Sequence, residues 1–105
     1  MDNFVAKIQK HITTCFPDLP AQISLDTCKN IVSYAIDKGR IYGFNSEYEI
    51  CVYIDIMFIL GKNFDTDKNK PWAQRILAQT NIPAGDRLSR LLEMALTFVN
   101  QRKLI

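Results

Sequence analysis

Several residue types that mark special classes of protein are scarce in this chain. Glycine and proline occur four times each, so the chain is neither collagen-like nor of low complexity. The number of cysteines, three, is odd, and no two of them have Cys-x-x-Cys spacing. We therefore expect no disulfide framework, and we expect a reducing, cytoplasmic environment. Lysine and arginine number 13 against 11 acids, and a net charge of +2 singles out no charged partner.

Long uninterrupted apolar runs are also lacking. The most apolar stretch, residues 50–60, is shorter than the roughly 20 residues of a membrane-spanning helix, and Asp55 lies in its middle. The N-terminus has an acid at position 2 and lysines within its apolar pattern, which is unlike a secretory signal. The composition, 48% hydrophobic and 23% charged, predicts one globular domain over residues 1–105 with no membrane segment.

The strongest local signal lies in residues 46–61. Ser46 followed three places later by Glu49 is the pattern of a capping box, and Gly61 stands where helices commonly end. A β-strand is the competing interpretation, because residues 51–60 are rich in β-branched and aromatic side chains. The capping box, the length and the terminal glycine favour a helix that the rest of the chain packs around.

Helical periodicity predicts four further helices. They cover residues 2–16, ended by Pro17; residues 25 to about 39, ended near Gly39; residues 71 to about 79, opened by Pro71; and a last helix that begins at Asp86 and has inward apolar residues as far as Val99. Phe44, two residues before the cap at Ser46, is expected to fold back onto the central helix. The predicted fold is therefore all-α, a single compact bundle of about five helices.

One loop carries part of a calcium-binding pattern. Asp65, Asp67 and Asn69 have the alternating spacing that opens such a loop. Lys70 stands where that loop needs a glycine, and Ile76 where it needs a glutamate ligand. We therefore predict no calcium site and expect Asp65 and Asn69 to cap turns and the helix that follows.

The other metal hypothesis combines His11, Cys15, Cys28 and Cys51 in a zinc site. Structural zinc cysteines usually come in close pairs, and these three do not. We predict instead that the cysteines are small core residues and that His11 lies at the edge of an apolar stripe. No metal and no cofactor are expected.

Asp55 is the most isolated acid of the chain. A thin strip through Glu47, Cys51 and Asp55 is expected to face water. If Asp55 is buried it needs a donor, so an ion pair or a tyrosine hydrogen bond is predicted for it. Catalysis would need a nucleophile, a second acid or a metal beside it, and no catalytic motif occurs, so no enzyme is predicted. An enzyme or metal protein using Asp55 or the Asp65 loop stays an alternative.

Aromatic residues near the charged loop indicate a protein-binding surface, since interface hot spots are enriched in tryptophan, tyrosine and arginine. Trp72 is interpreted either as such an anchor or as a plug at the end of the bundle. The predicted contact residues are Phe64, Asp65, Asp67, Lys68 and Trp72.

A second functional hypothesis places nucleic acid on the last helix. Its basic residues, Arg87, Arg90, Arg102 and Lys103, are suited to phosphate contacts. A solvated helix face is the usual explanation for such residues, and the scattered basic residues of the chain make nucleic acid the less favoured partner.

A series of packing and turn residues between positions 41 and 99 forms one pattern. It comprises Gly43-Phe44, Glu47 with the helix to Leu60-Gly61, Phe64-Asp65-x-Asp67, Pro71-Trp72-Ala73-x-x-Ile76-Leu77, Asp86-Arg87-Leu88 and Leu91. This pattern resembles small helical bacterial proteins that are often encoded beside effectors of type VI secretion systems, as immunity or accessory proteins. The resemblance implies a non-enzymatic protein that binds a cognate toxin or secretion component. Homodimer formation is left open.

Overall fold

The structure, a computed structural model, describes residues 2–15 and 25–103, with the side chains at positions 2, 13, 15, 25 and 100–103 excepted. It contains helices α1 (Asp2–Cys15), α2 (Leu25–Tyr42), α3 (Glu47–Leu60), α4 (Pro71–Leu77) and α5 (Ala84–Lys103), and a single 3₁₀ turn (Phe64–Thr66). No strand occurs within the described ranges, so the prediction of a compact all-α bundle is confirmed. The proposed helix stop at Pro17 lies outside the described residues.

Helix α3 is the centre of the bundle and contacts α1, α2 and α5. The Ser46 hydroxyl accepts a hydrogen bond from the Glu49 amide at 3.1 Å, and the Glu49 carboxylate accepts one from the Ser46 amide at 3.2 Å. The predicted capping box is therefore confirmed. Gly61, with φ of 111°, ends the helix and donates its N–H to the Met57 carbonyl. The buried residues of α3 are Ile50, Tyr53, Ile54, Ile56 and Met57.

The other helices bury one apolar face each against α3 or against a neighbour of α3. Burial of such faces is the main favourable contribution to folding, at roughly 25 cal/mol per Å² of apolar surface. The main buried residues are Phe4, Val5, Ile8 and Ile12 of α1, Cys28, Val32 and Ala35 of α2, Ala73 and Leu77 of α4, and Leu88, Leu91 and Ala95 of α5. Cys28 is thus a core residue, as predicted, while Cys51 is half-buried. None of the helices in the described part of the chain is long and apolar enough to cross a membrane.

Gly39 lies inside α2 rather than at its end. The helix continues to Tyr42, so the predicted stop near Gly39 is wrong. Gly39 is needed for close packing, because an added Cβ would lie 2.6 Å from Cδ1 of Ile50 and 2.9 Å from the carbonyl oxygen of Phe44. The glycine therefore lets the end of α2 approach the start of α3.

The end of α2 is set by Gly43. Its φ of 84° is a left-handed conformation that glycine adopts without strain, and the Phe44 amide donates to the Gly39 carbonyl at 2.7 Å. This six-residue hydrogen bond is the signature of a Schellman motif. It turns Phe44 inward, where its ring lies 5.9 Å from that of Tyr53 on α3. The expectation that Phe44 folds back onto the central helix is confirmed.

Two other boundaries differ by two residues from those predicted. α4 ends at Leu77 rather than residue 79, and α5 begins at Ala84 rather than Asp86. The segment from 62 to 70, predicted as a loop, contains the 3₁₀ turn. Helix ends fray over one or two residues, so these differences do not change the packing.

Replacing Gly39 by alanine is expected to lower the free energy of unfolding by about 1–3 kcal/mol, because one of the two atoms that the new methyl group meets belongs to the backbone and cannot move aside. Urea unfolding followed by circular dichroism measures the loss. Gly85 is the matched control, since nothing lies within 4 Å of a Cβ added there. Gly85→Ala should be neutral or stabilise by up to about 1 kcal/mol. Equal losses in both variants would contradict the close packing at Gly39.

Candidate partner-binding site

Asp65, one of the predicted contact residues, is fully buried. Its Oδ2 atom accepts a hydrogen bond from Lys38 Nζ at 2.9 Å and one from the Tyr42 hydroxyl at 2.7 Å. Both donors lie on α2, so the carboxylate joins the 3₁₀ turn to that helix. The expectation that Asp65 caps a turn is therefore wrong, since its acceptor atom is used by two donors on α2.

Phe64, beside Asp65, is buried as well, with 1% of its surface exposed. Its ring lies 5.2 Å from that of Tyr53, which also contacts Phe44 and Tyr42. Phe64 therefore completes an aromatic cluster between α2, α3 and the turn. The prediction that Phe64 and Asp65 lie on a contact surface is corrected, because the cluster and the ion pair occupy both side chains.

The surroundings of Asp65 change the acidity of its neighbours. The hydrogen bond to Asp65 holds the pKa of Lys38 above its ordinary value of 10.5. Burial, followed by the hydrogen bond to Asp65, raises the pKa of Tyr42 well above its ordinary range. Burial also raises the pKa of Tyr53, whose hydroxyl has no hydrogen-bond partner among the described groups, as is true of Asp65 Oδ1. At neutral pH, Lys38 is thus charged and Tyr42 is a donor.

The remaining loop residues form a separate, more exposed arrangement. Asp67 accepts from Lys70 Nζ at 2.7 Å and from the Asn69 amide at 2.9 Å, and the bond to Lys70 is the main reason that the pKa of Asp67 is lowered. Because Asp65 and Asp67 bind different lysines, the calcium-like spacing serves two distinct ion pairs. The side chain that caps this turn is therefore that of Asp67 and not that of Asn69. No side chain caps the start of α4. Lys68 is exposed.

Trp72 is half-buried at the start of α4. Its ring lies 6.4 Å from that of Phe98 on α5, and Lys70 Nζ lies 5.2 Å from the same Phe98 ring. This packing agrees with the interpretation of Trp72 as a plug at the end of the bundle. Contact of Trp72, Asp67 or Lys68 with a partner stays a prediction.

A groove of about 230 Å³ lies between α2 and α3, and the sequence patterns did not indicate it. Its lining residues are Thr27, Asn30, Ile31 and Tyr34 of α2, Met57 and Phe58 of α3, and Lys62 just beyond α3. Tyr34 donates its hydroxyl proton to Asn63 Oδ1 at 2.7 Å, and Lys62 Nζ lies 4.4 Å from the centre of the Tyr34 ring. The segment after α3 therefore forms one end of the groove.

The groove is apolar along its walls and positively charged at that end. Lys38 Nζ lies 5.9 Å from the centre of the Tyr34 ring, so the ammonium groups of both Lys38 and Lys62 approach the same aromatic side chain. Among the described residues that line the groove, none is an acid, a histidine or a cysteine. A second depression of about 460 Å³ differs, since it includes both Arg40 and Glu47 and has no single sign of charge.

Asp55 is only partly exposed, which corrects the expectation that it lies on a strip facing water. His11 of α1 donates from Nε2 to Asp55 Oδ1 at 2.8 Å, and the bond becomes an ion pair when the imidazole is protonated. Burial raises the pKa of Asp55, and the bond from His11 partly opposes that rise. The predicted polar partner of Asp55 thus exists, and it is the single histidine of the chain.

Arg87, predicted to face solvent on the last helix, is 4% exposed. It donates to the carbonyl oxygens of Tyr42 at 2.8 Å, Leu77 at 3.1 Å and Ile82 at 3.0 Å. Tyr42 and Leu77 are the last residues of α2 and α4, so the guanidinium satisfies carbonyls that no longer have helical partners and meets the negative ends of both helices. The hypothesis that Arg87 contacts phosphate is therefore wrong.

Comparisons of the chain with protein-family models, with curated proteins and with solved structures find no match. The resemblance to proteins encoded beside secretion effectors accordingly stays a prediction.

Replacing Asp65 by asparagine is expected to destabilise the fold by about 2–4 kcal/mol, because Lys38 loses its ionic partner in a partly buried position. Thermal and urea unfolding measure this loss. Asp67→Asn is the matched control, and its effect should be clearly smaller because the side chain of Asp67 is 30% exposed whereas that of Asp65 is fully buried. An equal effect of both changes would contradict the role of Asp65 in anchoring the turn.

The contribution of the Lys38–Asp65 pair should depend on pH in a defined direction. Because the pKa of Lys38 is raised in the folded state, its stabilisation is fully present below the ordinary value of 10.5 and is lost as the pH rises through the higher folded value. The difference in unfolding free energy between wild type and Asp65→Asn should therefore shrink in that alkaline range. A difference that stays constant there would contradict the coupling.

Replacing Arg87 by methionine is expected to cost about 3 kcal/mol, because three hydrogen bonds are lost and buried carbonyls at two helix ends are left without donors. Arg87→Lys should recover only part of this loss, since an ammonium lacks the planar fork of donors. Arg90 is exposed on the same helix, so Arg90→Met should change stability by less than about 0.5 kcal/mol. Urea unfolding of the three variants decides the point, and near-equal effects at both positions would refute it.

Proposed function

We propose that this chain is a non-enzymatic protein-binding protein whose contact site is the groove between α2 and α3. The observation that carries the proposal is the combination of apolar walls with a lysine at one end. Apolar anchors seated in such pockets, with charged groups at the rim, are the usual source of affinity and specificity in protein recognition.

The occupant that fits this groove is a peptide segment with an apolar side chain followed by a carboxylate. Ile31, Met57 and Phe58 supply apolar contact area, and a side chain that buries against them gains from removal of both surfaces from water. Lys62 supplies positive charge at the end, whereas the charge of Lys38 is already balanced by Asp65. An acidic group on the partner would meet the charge of Lys62, whereas a basic one would be repelled.

The groove also has features of a preformed site. Its walls belong to two helices that pack against each other, and its end is held by the Tyr34–Asn63 hydrogen bond. A site of this kind loses little conformational entropy on binding. The exposed residue Lys68 lies on the segment that continues from this end, so its predicted contact with a partner extends the same proposal.

A displayed library of random linear peptides, selected on the intact chain, tests this function directly. We expect enriched peptides to share an apolar residue near Asp or Glu. Nuclear magnetic resonance titration with one such peptide should shift the signals of Ile31, Tyr34 and Phe58. Enrichment of peptides without acids, or shifts centred on the exposed α5 residues Met94 and Leu96, would refute the groove as the contact site.

A charge reversal gives the sharper test. Lys62→Glu should weaken binding of the selected acidic peptide by about tenfold, and a peptide with lysine in place of its acid should recover much of that loss. Arg90→Glu is the matched control, because it changes the net charge equally on an exposed face of α5. Lys68→Glu measures whether the contact reaches the loop. Equal weakening by Lys62→Glu and Arg90→Glu would indicate a general charge effect and contradict the proposal.

The finer form of the proposal is an immunity or accessory role toward a cognate secreted effector, and it is supported by the resemblance of residues 41–99. Co-expression with the effector encoded beside the gene should protect cells from its toxicity. Lys62→Glu should reduce that protection while Arg90→Glu should retain it. Survival that does not depend on the chain would exclude the immunity role while leaving peptide binding to be judged separately.

A further inference from the structure

Three side chains with metal-ligating atoms converge between α1 and α3. They are His11 of α1 and Cys51 and Asp55 of α3, and one ligand atom of each lies within 4.8 Å of the others. Cys51 and Asp55 are four residues apart, so they lie on one face of α3. His11 approaches this face from the neighbouring helix, and the group is therefore assembled by tertiary packing.

The chemistry of these ligands favours a zinc-class divalent cation. Imidazole nitrogen, thiolate sulfur and carboxylate oxygen are the three donor types found in protein zinc sites. The cysteine sulfur disfavours magnesium and calcium, which prefer oxygen ligands. With the thiol and the carboxyl deprotonated and the imidazole neutral, the three groups carry a charge of about −2, which matches a divalent cation.

The positions of the side chains are also suitable. Two ligand atoms on a tetrahedral zinc ion lie about 3.3–3.8 Å apart, given bond lengths of about 2.0 Å to nitrogen and 2.3 Å to sulfur. The ligand atoms lie at most 4.8 Å apart, and His11 Nε2 lies 2.8 Å from Asp55 Oδ1, so no pair must move together or apart by more than about 1.5 Å. All three side chains are half-buried, so they are accessible to an ion and partly shielded from water.

Cys51 is not part of a disulfide, and Asp55 is already oriented toward His11 by their 2.8 Å hydrogen bond. A hydrogen bond between the two would by itself explain the position of the acid. The thiol of Cys51 lies at the same point and adds a third donor atom of a type that zinc binds. We propose that His11, Cys51 and Asp55 form a binding site for a zinc-class divalent cation that links α1 to α3.

A tetrahedral ion needs a fourth donor, and a water molecule would supply it. The site is distinct from the groove between α2 and α3, so it does not depend on the proposed peptide binding.

Titration of the reduced, intact chain with cobalt(II) tests the site, because tetrahedral thiolate coordination gives intense visible d–d bands and a thiolate-to-metal charge-transfer band. We expect one equivalent to bind, with displacement by zinc(II), and a melting temperature that rises with zinc concentration. Cys51→Ser should abolish the charge-transfer band, and His11→Gln and Asp55→Asn should each weaken binding by at least about tenfold. Circular dichroism verifies that the variants remain helical.

Cys28→Ala is the matched control, because Cys28 is a fully buried core thiol of α2 outside the cluster. It should retain both the bands and the affinity. Absence of the bands in wild type, or bands that survive Cys51→Ser and disappear in Cys28→Ala, would overturn the proposal.

Discussion

The buried carboxylate of Asp65 is the interaction on which one side of this protein depends. It holds Lys38 and Tyr42 of α2 against the turn that follows α3. A buried carboxylate without donors costs several kcal/mol, so the turn cannot leave α2 without losing that compensation. The same segment carries Lys62 and Asn63, which form the end of the groove. The geometry of the candidate contact site therefore follows from an ion pair whose carboxylate is fully buried.

The central helix imposes a second constraint. Because α3 packs against α1, α2 and α5, most of its surface is covered by other helices, and it has no wide polar face. Its acid, Asp55, must therefore obtain its donor from a neighbouring helix, and His11 of α1 supplies it. Cys51 lies on the same face of α3, close to Asp55 and His11. Packing against α1 therefore brings three potential metal ligands together on this face.

Two of the mistaken interpretations, those of Gly39 and Arg87, have a common physical cause. Gly39 resembled a helix stop, yet it is required because Ile50 and Phe44 approach the backbone of α2 from outside that helix. Arg87 resembled a surface cation, yet it is buried because the ends of α2 and α4 meet at its position and their carbonyls need donors. In each case the decisive neighbour is distant in the chain or belongs to another element, and no local spacing reports it.

Local patterns by themselves determined the all-α class, the central helix and its capping box at Ser46, and the inward turn of Phe44, because capping and helical periodicity act between residues within one turn of each other. Tertiary packing alone decided that Phe64 and Asp65 are internal, that Tyr34 and Phe58 face a common groove, and that His11 meets Asp55. These outcomes depend on which helices become neighbours. The arrangement of the helices results from burial of many apolar side chains at once, so the residue spacing within any single segment does not predict it.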